Sequence, residues 1–336
     1  MRALRHAALV FVAAALSVPP SAPAGAPRAG DRFVNTVGPL ARGGPDVVLP
    51  FFARKVWGTF FPRGGAAPLV PFDPEALRHN PSVTWIGHAT MLVRMDAVTF
   101  LTDPMFSDRA SPLSFAGPER LVPPGVPLDA LPRIDFVVLS HDHYDHTDLP
   151  SIRALAARGA RFIVPLGFGP LLREAGVVQV QELDWWDAVE AGPVRVHCVP
   201  AQHFSGRGVS GGNRRLWAGW VVAGPTRRFY HAGDTGYSPD FVEIGRRLGP
   251  IDLAAVPIGA YEPGAMMHAV HVNPEEAVQV ALDVRATRAV GMHFGTFDLT
   301  DEPLDEPPTR FLAAAARHGL AANAAWILDV GETQQW

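Results

Sequence analysis

Residues 140–148 decide the fold, and they read Ser-His-Asp-His-Tyr-Asp-His-Thr-Asp. They directly follow residues 134–139, an apolar and partly β-branched run of the kind that forms a buried strand. Because alternate residues at the end of an extended strand point the same way, His141 and His143 can hold one metal ion between them. The ligand-type side chains therefore lie where a buried strand runs into a loop.

Asp145 and His146 come after the chain has turned, so they can reach a second metal ion close to the first. Imidazole and carboxylate groups are ligands of zinc, and also of iron or manganese. The alternative interpretation is a solvated loop that happens to be rich in histidine. Three histidines and two aspartates within six residues, directly behind a buried strand, argue against that alternative.

Further motifs accompany this stretch: TWIGHAT at 84–90, LTDP at 101–104, AGDTGY at 232–237, PIGAYEP at 257–263 and HVNPEEA at 271–277. The pattern His-x-His-x-Asp-His behind a hydrophobic strand resembles the signature of the metallo-β-lactamase superfamily. With the further motifs in this order, the chain resembles the N-acylphosphatidylethanolamine-hydrolysing phospholipase D family. The similarity runs from about residue 32 to near the C-terminus.

The resemblance implies an α/β fold, the αββα sandwich of that superfamily. The order of predicted elements agrees with it, because each half runs from strands to helices. We predict one domain over residues 80–336, because the expected ligands come from both halves. A signal peptide over 1–24 and an N-terminal extension over 25–79 are expected to precede it.

The resemblance also implies two Zn²⁺ ions per chain and a set of ligands for each. The expected ligands of the first ion are His141, His143, His203 and Asp234. The expected ligands of the second ion are Asp145, His146, His293 and Asp234. The residues expected to be catalytic are Asp145, Asp234 and His271.

Local sequence adds support for three of these positions. His203, Asp234 and His293 each come shortly after an apolar run that we predict to be a strand. Gly233 allows the backbone to come close to the ions, and Asp234 is the only nearby carboxylate placed to bridge two of them.

Three features outside the ligand set stay open. Asp103 ends a predicted strand before Pro104, and it is either a partner for a ligand imidazole or a turn-forming residue. His88 lies in an apolar context, as a hydrogen-bonded core histidine or at most as a support for a ligand. The Gly- and Arg-rich loop 206–215 either holds a phosphate or is a solvated loop tip.

The function implied by the resemblance is a dinuclear-metal phosphodiesterase. It would hydrolyse a phospholipid such as N-acylphosphatidylethanolamine to phosphatidic acid and an N-acylethanolamine. One alternative is another metal-dependent hydrolase of this fold, such as a lactonase or a β-lactamase, although the lactamase form lacks a bridging carboxylate like Asp234. The other is a non-enzymatic envelope or regulatory protein, in which a full ligand set would have no task.

Composition limits the partners and the compartment. The 336 residues are 48% hydrophobic, and a net charge of −4 argues against a nucleic-acid partner. A basic start, an apolar stretch at 7–18 too short to span a membrane, and small residues at 22–24 predict a signal peptide cleaved after Ala24. We therefore expect the periplasm or a membrane face, with an alanine-rich leader as the alternative. The single cysteine, Cys198, excludes an internal disulfide and is predicted to be buried.

The N-terminal extension contains an aromatic segment, residues 50–61. Its aromatic side chains are Phe51, Phe52, Trp57, Phe60 and Phe61. On a helix, Phe52, Val56 and Phe60 would share one face. This helix either docks on the main domain or meets lipid, and a helix could do both. The expected partners are therefore a phospholipid substrate and a membrane surface, with a homodimer kept as an option.

Overall fold

The computed structural model describes residues 25–40, 43–60, 63–208, 212–321 and 323–336, without the side chains of residues 59 and 60. Two seven-stranded sheets form its centre. The first sheet consists, in spatial order, of β16 (Thr333–Gln335), β3 (Ser82–Gly87), β4 (Thr90–Met95), β5 (Val98–Thr102), β6 (Phe136–Val138), β7 (Arg161–Pro165) and β8 (Val180–Leu183). The second consists of β15 (Ala325–Trp326), β14 (Ala289–Met292), β13 (Leu253–Pro257), β12 (Arg228–His231), β11 (Gly219–Ala223), β10 (Val194–Val199) and β9 (Ala188–Ala191).

A two-stranded hairpin and seven α-helices complete the described chain. The hairpin pairs β1 (Arg28–Ala29) with β2 (Arg32–Phe33). The helices are α1 (Pro45–Phe60), α2 (Leu149–Ala157), α3 (Gly169–Glu174), α4 (Asp240–Leu248), α5 (Gly264–Met267), α6 (Pro274–Asp283) and α7 (Glu306–Arg317).

Strand direction explains where the polar motifs meet. In the first sheet β5 and β6 are parallel, so their carboxyl ends share one edge. In the second sheet β10, β12, β13 and β14 all run the same way, because β11 is antiparallel to both β10 and β12. The motifs that follow β6, β10, β12 and β14 therefore gather at strand ends along the edge of the sandwich.

Two hydrophobic cores hold the layers together. The larger core lies between the sheets and joins side chains such as Trp85 and Phe100 of the first sheet to Trp220 and Phe229 of the second. The smaller core packs the other face of the first sheet against α2 and α3. Helices α4, α6 and α7 cover the second sheet, with Phe311 among the buried contacts. The predicted αββα sandwich is confirmed.

Some element boundaries differ from the prediction. A final strand is expected over residues 326–330, but the structure has only β15 there, followed by the unpredicted β16, which pairs with β3. Asp148 stands at the N-cap of α2, but its carboxylate accepts hydrogen bonds from the hydroxyl groups of Ser107 and Ser151 and does not cap the helix. Helix α6 begins with a capping box formed by Asn273 and Glu276. Cys198 is buried, as predicted.

The aromatic segment is helical, but it packs differently from the prediction. Helix α1 begins at Pro45, and Phe51 is its buried aromatic residue. Of the predicted shared face, Phe52 and Val56 are 55% and 63% exposed, and the adjacent Trp57 is 65% exposed. The docking interpretation therefore does not hold for this face, which points away from the core.

Two predictions fall outside what the structure describes. The predicted signal peptide over residues 1–24 lies outside the described residues. The predicted aromatic face of residues 50–61 is described only in part, because the side chain of Phe60 and all of Phe61 also lie outside them. Among the described helices, none combines the length and the apolar character needed to cross a bilayer.

Candidate metal centre

The first group of candidate ligands comes from both sheets. His141 and His143 follow β6, and His203 follows β10. One ring nitrogen from each lies within 4.8 Å of the other two. His203 Nε2 is 3.3 Å from His143 Nδ1, and His141 Nε2 is 2.9 Å from the same atom. The structure thus brings together the three imidazoles that the sequence assigns to the first ion.

A second group lies beside the first. It contains Asp145, His146 and His293, and also His88, again with their ligand atoms within 4.8 Å of one another. Asp145 Oδ2 is 3.5 Å from His146 Nε2 and 3.6 Å from His293 Nε2. The structure therefore also brings together the residues assigned to the second ion. It adds His88, which the sequence predicts to be at most a support for a ligand.

Asp234 lies between the two groups. Its Oδ2 atom is 3.1 Å from Nε2 of both His146 and His293, and 3.7 Å from Nε2 of His141. Gly233 makes this approach possible, because its φ is +63° and a Cβ there would lie 2.7 Å from the Cβ of Ser140. The carboxylate therefore lies within reach of imidazoles from both groups.

The donor atoms of this site fit metal ions. Buried without a hydrogen-bond partner among the described residues are Nε2 of His146, both ring nitrogens of His293, Nδ1 of His271 and Oδ1 of Asp234. Buried polar atoms are normally satisfied, so such a cluster of unpaired nitrogens and oxygens fits the donor set of a cation site. Imidazole and carboxylate in this proportion suit Zn²⁺ and other first-row divalent metals.

The electrostatics of the first group favour metal binding. Burial lowers the pKa of His141, His143 and His203, so these imidazoles are neutral and keep a lone pair for a cation. Burial alone would raise the pKa of Asp234, but the charges of His146 and His293, with their hydrogen bonds, together outweigh it and hold that pKa well below the ordinary range. The carboxylate is therefore ionised.

His146 and His293 behave differently from the other histidines. Burial alone would lower the pKa of each, but Asp234 and Asp145, through charge and hydrogen bonds, together outweigh it. They raise the pKa of His293 to about 9 and that of His146 well above the usual value. The protons on His146 and His293 place positive charge beside the carboxylates of Asp145 and Asp234, as a bound metal ion would. Binding of a metal ion would displace them, because a ligating imidazole must be neutral.

Asp103 supports the site from behind. Its carboxylate accepts hydrogen bonds from the backbone N–H of Ser140 (2.7 Å) and from the Ser140 hydroxyl (2.6 Å). Its Oδ2 atom is also 2.9 Å from Nδ1 of His146 and from Nε2 of His231. These two imidazole contacts outweigh the burial that would otherwise raise the pKa of Asp103, and lower it. Asp103 therefore orients His146 and is more than a turn residue.

His88 and His271 flank the cluster. His88 Nε2 is 2.9 Å from Asp145 Oδ2 and can hold that carboxylate in place, while burial lowers the pKa of His88 to about 3. His271 Nδ1 lies 4.0 Å from Asp234 Oδ2, and burial lowers the pKa of His271 to about 4. The expected catalytic residues Asp145, Asp234 and His271 thus share one site.

The arginine-rich loop braces the histidine motif. Arg215 forms an ion pair of 2.8 Å with Asp142. Arg207 donates to the carbonyl oxygens of Asp142 (3.0 Å) and Thr147 (2.8 Å), and its guanidinium lies 4.0 Å from the ring centre of Tyr144. One guanidinium nitrogen of each arginine is thus engaged inside the protein, so the solvated-tip interpretation does not describe Arg207 and Arg215.

A large cleft lies apart from the metal centre. A cavity of 800 Å³ lies between α1 and the segments around Leu121 and Leu299, and no candidate ligand lines it. A smaller cavity of 240 Å³ does reach the site, because His271 lines it together with Tyr261 and Arg310. The donor set, rather than cavity size, therefore locates the candidate centre.

Comparison with known proteins assigns the class. Residues 99–294 match the family model of the β-lactamase superfamily domain. The chain belongs to the metallo-β-lactamase superfamily and is a metal-dependent hydrolase of that fold. The solved isothiocyanate hydrolase from Delia radicum gut bacteria has a similar fold, with a TM-score of 0.60, 20% identity, and coverage of 76% of this chain and 99% of that one.

Within the superfamily, two relatives are similar over most of the chain. The N-acyl-phosphatidylethanolamine-hydrolyzing phospholipase D 1 of Caenorhabditis elegans is 44% identical over 263 residues, which cover 74% of each protein. An uncharacterized protein of Mycobacterium tuberculosis is 48% identical over 259 residues, covering 74% of this chain and 69% of that protein. The predicted resemblance to the phospholipase D family is confirmed.

Sequence reasoning missed some residues that shape the site. His231 is the last residue of β12, and Asn35 lies far upstream, yet they contact Asp103 and His203 respectively. Neither residue has a local signature, because its partner is more than a hundred residues away in the chain. For His231 the available signal was its position at a strand end, three residues before Asp234.

Proposed function

We propose that this protein is a two-zinc phosphodiesterase that hydrolyses N-acylphosphatidylethanolamine, or a closely similar phospholipid, to phosphatidic acid and an N-acylethanolamine. The observation that carries the proposal is the position of Asp234, whose Oδ2 is 3.1 Å from both His146 and His293 and 3.7 Å from His141. A carboxylate between two histidine groups suits a pair of ions that act together on one phosphoryl group. The C. elegans relative supports the substrate class by its name and its 44% identity.

The chain's own residues would prepare the reaction. Two bound zinc ions would supply a water of lowered pKa and positive charge against the phosphoryl oxygens. Asp103 would fix the orientation of His146, and His88 would hold Asp145. Such support matters because metal ligands must be held closely to their productive geometry.

His271 is suited to act on the substrate. It is mostly buried, and it lines the 240 Å³ cavity on one side while its Nδ1 faces Asp234 on the other. Because burial keeps the imidazole neutral, it has one N–H and one lone pair. His271 would donate a hydrogen bond to a phosphodiester oxygen, or take up a proton, beside the bridging carboxylate.

We extend the proposal to a lipid surface as the place of action. Helix α1 exposes Phe52, Val56 and Trp57, and also Leu49. These side chains form a contiguous helical face, and some of them line the 800 Å³ cavity. An exposed apolar helix face of this kind is typical of peripheral contact with lipid. A phospholipid substrate requires the enzyme to reach the membrane in which it is dissolved.

The test is turnover of defined substrates by the zinc-loaded protein. The protein is incubated with vesicles containing N-acylphosphatidylethanolamine, and in parallel with a lactone and a β-lactam, and the products are identified by mass spectrometry. We expect phosphatidic acid and an N-acylethanolamine from the vesicles, and neither after chelation. Hydrolysis of the lactone or the β-lactam alone would favour the other hydrolase class. No turnover at all, together with no bound metal, would favour a non-enzymatic role.

A further inference from the structure

The side chain of Asn35 contacts the main chain of a candidate metal ligand. Its Oδ1 atom accepts hydrogen bonds from the backbone N–H of His203 (3.1 Å) and from Nε1 of Trp217 (3.0 Å). Its Nδ2 atom donates to the carbonyl oxygen of His203 at 2.9 Å. Asn35 is only 5% exposed, so water does not compete for these bonds. One amide side chain thus satisfies both backbone groups of His203.

The ring of His203 is fixed independently. Its Nδ1 atom is 2.9 Å from the carbonyl oxygen of Val270, which requires the proton to be on Nδ1 and leaves the lone pair on Nε2. Nε2 points toward His143, at 3.3 Å from its Nδ1. The carbonyl of Val270 therefore sets the tautomer, and Asn35 sets the position of the main chain from which the ring extends.

The segment that carries Asn35 is firmly attached. Phe33 is buried in the larger core, and its backbone N–H donates to the carbonyl oxygen of Asn213 at 2.8 Å. The backbone N–H of Asn213 in turn donates to the carbonyl oxygen of Ser205 at 2.9 Å. The Oδ1 atom of Asn213 accepts a hydrogen bond from the backbone N–H of Ser205 at 3.1 Å. The segment around Phe33 and Asn35 therefore braces the loop of His203 from outside the region that matches the family model, which begins at residue 99.

We propose that Asn35 is a positioning residue for His203, which places the Nε2 atom of that imidazole against the first metal ion. The inference rests on the proposed function in one respect, namely that His203 is a ligand. The loop after β10 has no strand neighbour for the backbone of His203, so without Asn35 both groups would be buried and unsatisfied. The loop would then shift, and the ligand with it. Loss of such supporting contacts typically costs about 10–100-fold in metal affinity.

The experiment compares full-length variants Asn35→Ala and Asn35→Asp with Thr36→Ala. Thr36 is the matched control, because its hydroxyl bonds to Asp240 from the same segment without contacting His203. Zinc affinity of each metal-free protein is measured by competition with a chromophoric chelator. Hydrogen exchange of the peptide spanning residues 201–205 is measured on the same samples, and thermal melting reports folding.

We expect Asn35→Ala to weaken one of two zinc-binding events about 10–100-fold and to speed exchange in residues 201–205, with Thr36→Ala close to the parent. Asn35→Asp keeps both acceptor contacts but sets a carboxylate oxygen against the His203 carbonyl oxygen, so it should weaken the same zinc-binding event and speed the same exchange. It decides the question if Asn35→Ala does not fold. Unchanged zinc affinity and unchanged exchange in a folded Asn35 variant would overturn the inference while leaving the proposed function intact. A parent that binds no zinc would overturn the proposed function, and the exchange measurement would still decide whether Asn35 fixes the loop.

Discussion

Asp234 is the single residue on which the chemistry depends most. Replacing it with asparagine keeps the shape but supplies one neutral oxygen and an NH₂ group that cannot bind metal. We expect Asp234→Asn to loosen both ions and to slow phosphodiester turnover on the order of a thousandfold or more. The fold should survive, because the large core between the sheets does not depend on this side chain. Turnover, metal content and thermal melting are measured together.

A matched control separates this effect from a general loss of charge. Asp129 is an exposed aspartate in a short turn outside both ligand groups. Asp129→Asn should therefore behave like the parent in all three measurements. If Asp234→Asn stays folded, keeps two ions and turns over at the parent rate, Asp234 is a turn residue and the dinuclear account fails.

Asp103 should matter for stability as well as for the metal. It is fully buried and accepts from Ser140, His146 and His231. An asparagine would turn one acceptor into a donor that faces other donors. We expect Asp103→Asn to lower the free energy of unfolding by about 3 kcal/mol, because buried donors lose the charged acceptor that they contact. Urea denaturation of the metal-free protein measures this, and a change under about 0.5 kcal/mol would contradict it.

Residues with a local signature could be predicted, and residues without one could not. His141, His143, Asp145 and His146 stand out because they follow a buried strand within a few positions. The role of Asp103 could not be decided from the sequence. An aspartate at a strand end before proline occurs both in turns and as a hydrogen-bond partner of a ligand imidazole. Asn35 gave no signal, because its partner His203 is 168 positions away and hydrogen bonds between distant segments leave no pattern in either.

At the scale of elements, buried strands were the most predictable. The apolar runs before His141 and His293 form β6 and β14 where the sequence places them, since burial on both faces selects such residues. Strand β16 was missed because Thr333–Gln335 is polar and short, and forms only through pairing with β3. The sequence left open whether the apolar face of α1 docks on the domain or meets lipid, because an aromatic stripe has the same periodicity in both cases.

Helix α1 is attached through charges that should depend on pH. Burial alone would raise the pKa of Asp298, but hydrogen bonds from Arg63 and Lys55 outweigh it and lower that pKa. A group with a lowered pKa in the folded state stabilises above its unfolded value, near 3.8, and loses this contribution as the pH falls through the folded value. Asp298→Asn should therefore be less stable than the parent at neutral pH, and the gap should shrink below about pH 4.

The measurement for α1 is denaturant unfolding of both proteins across pH 3 to 7, roughly the range in which a carboxylate of this kind titrates. Asp129→Asn again serves as the control, because that exposed carboxylate has no such partners in the described structure. A stability difference between parent and Asp298→Asn that stays constant with pH would show that the ion pairs do not hold the helix.

The exposed face of α1 makes a separate prediction about membranes. Replacing Phe52 and Trp57 with serine should release the protein from phospholipid vesicles. Each substitution removes on the order of 1.5–3 kcal/mol of the free energy gained when the apolar side chain is buried in lipid. Hydrolysis of a water-soluble phosphodiester should be unaffected. Val178→Ser is the control, since Val178 is 93% exposed and lies between α3 and β8, away from helix α1. Equal vesicle binding by all three proteins would remove the basis for the lipid surface.

At the scale of the whole molecule, the candidate centre joins the two halves of the sandwich. His141 and Asp145 follow a strand of the first sheet, while His203, Asp234 and His293 follow strands of the second. Metal ions bound between them would stabilise the folded chain, because a ligand that binds only the folded state adds its binding free energy to stability. We expect chelation to lower the melting temperature, and restored zinc to raise it again. An identical melting curve with and without chelator would contradict a metal ion between the halves.

The central claim is that two ions act together in hydrolysis of a phosphodiester, and a zinc titration tests it most directly. Metal-free protein receives increasing zinc, and hydrolysis of N-acylphosphatidylethanolamine is measured at each ratio of zinc to chain. The account predicts no turnover without zinc and a plateau that is reached at two ions per chain. Full activity in the presence of chelator, with no metal bound, would contradict it.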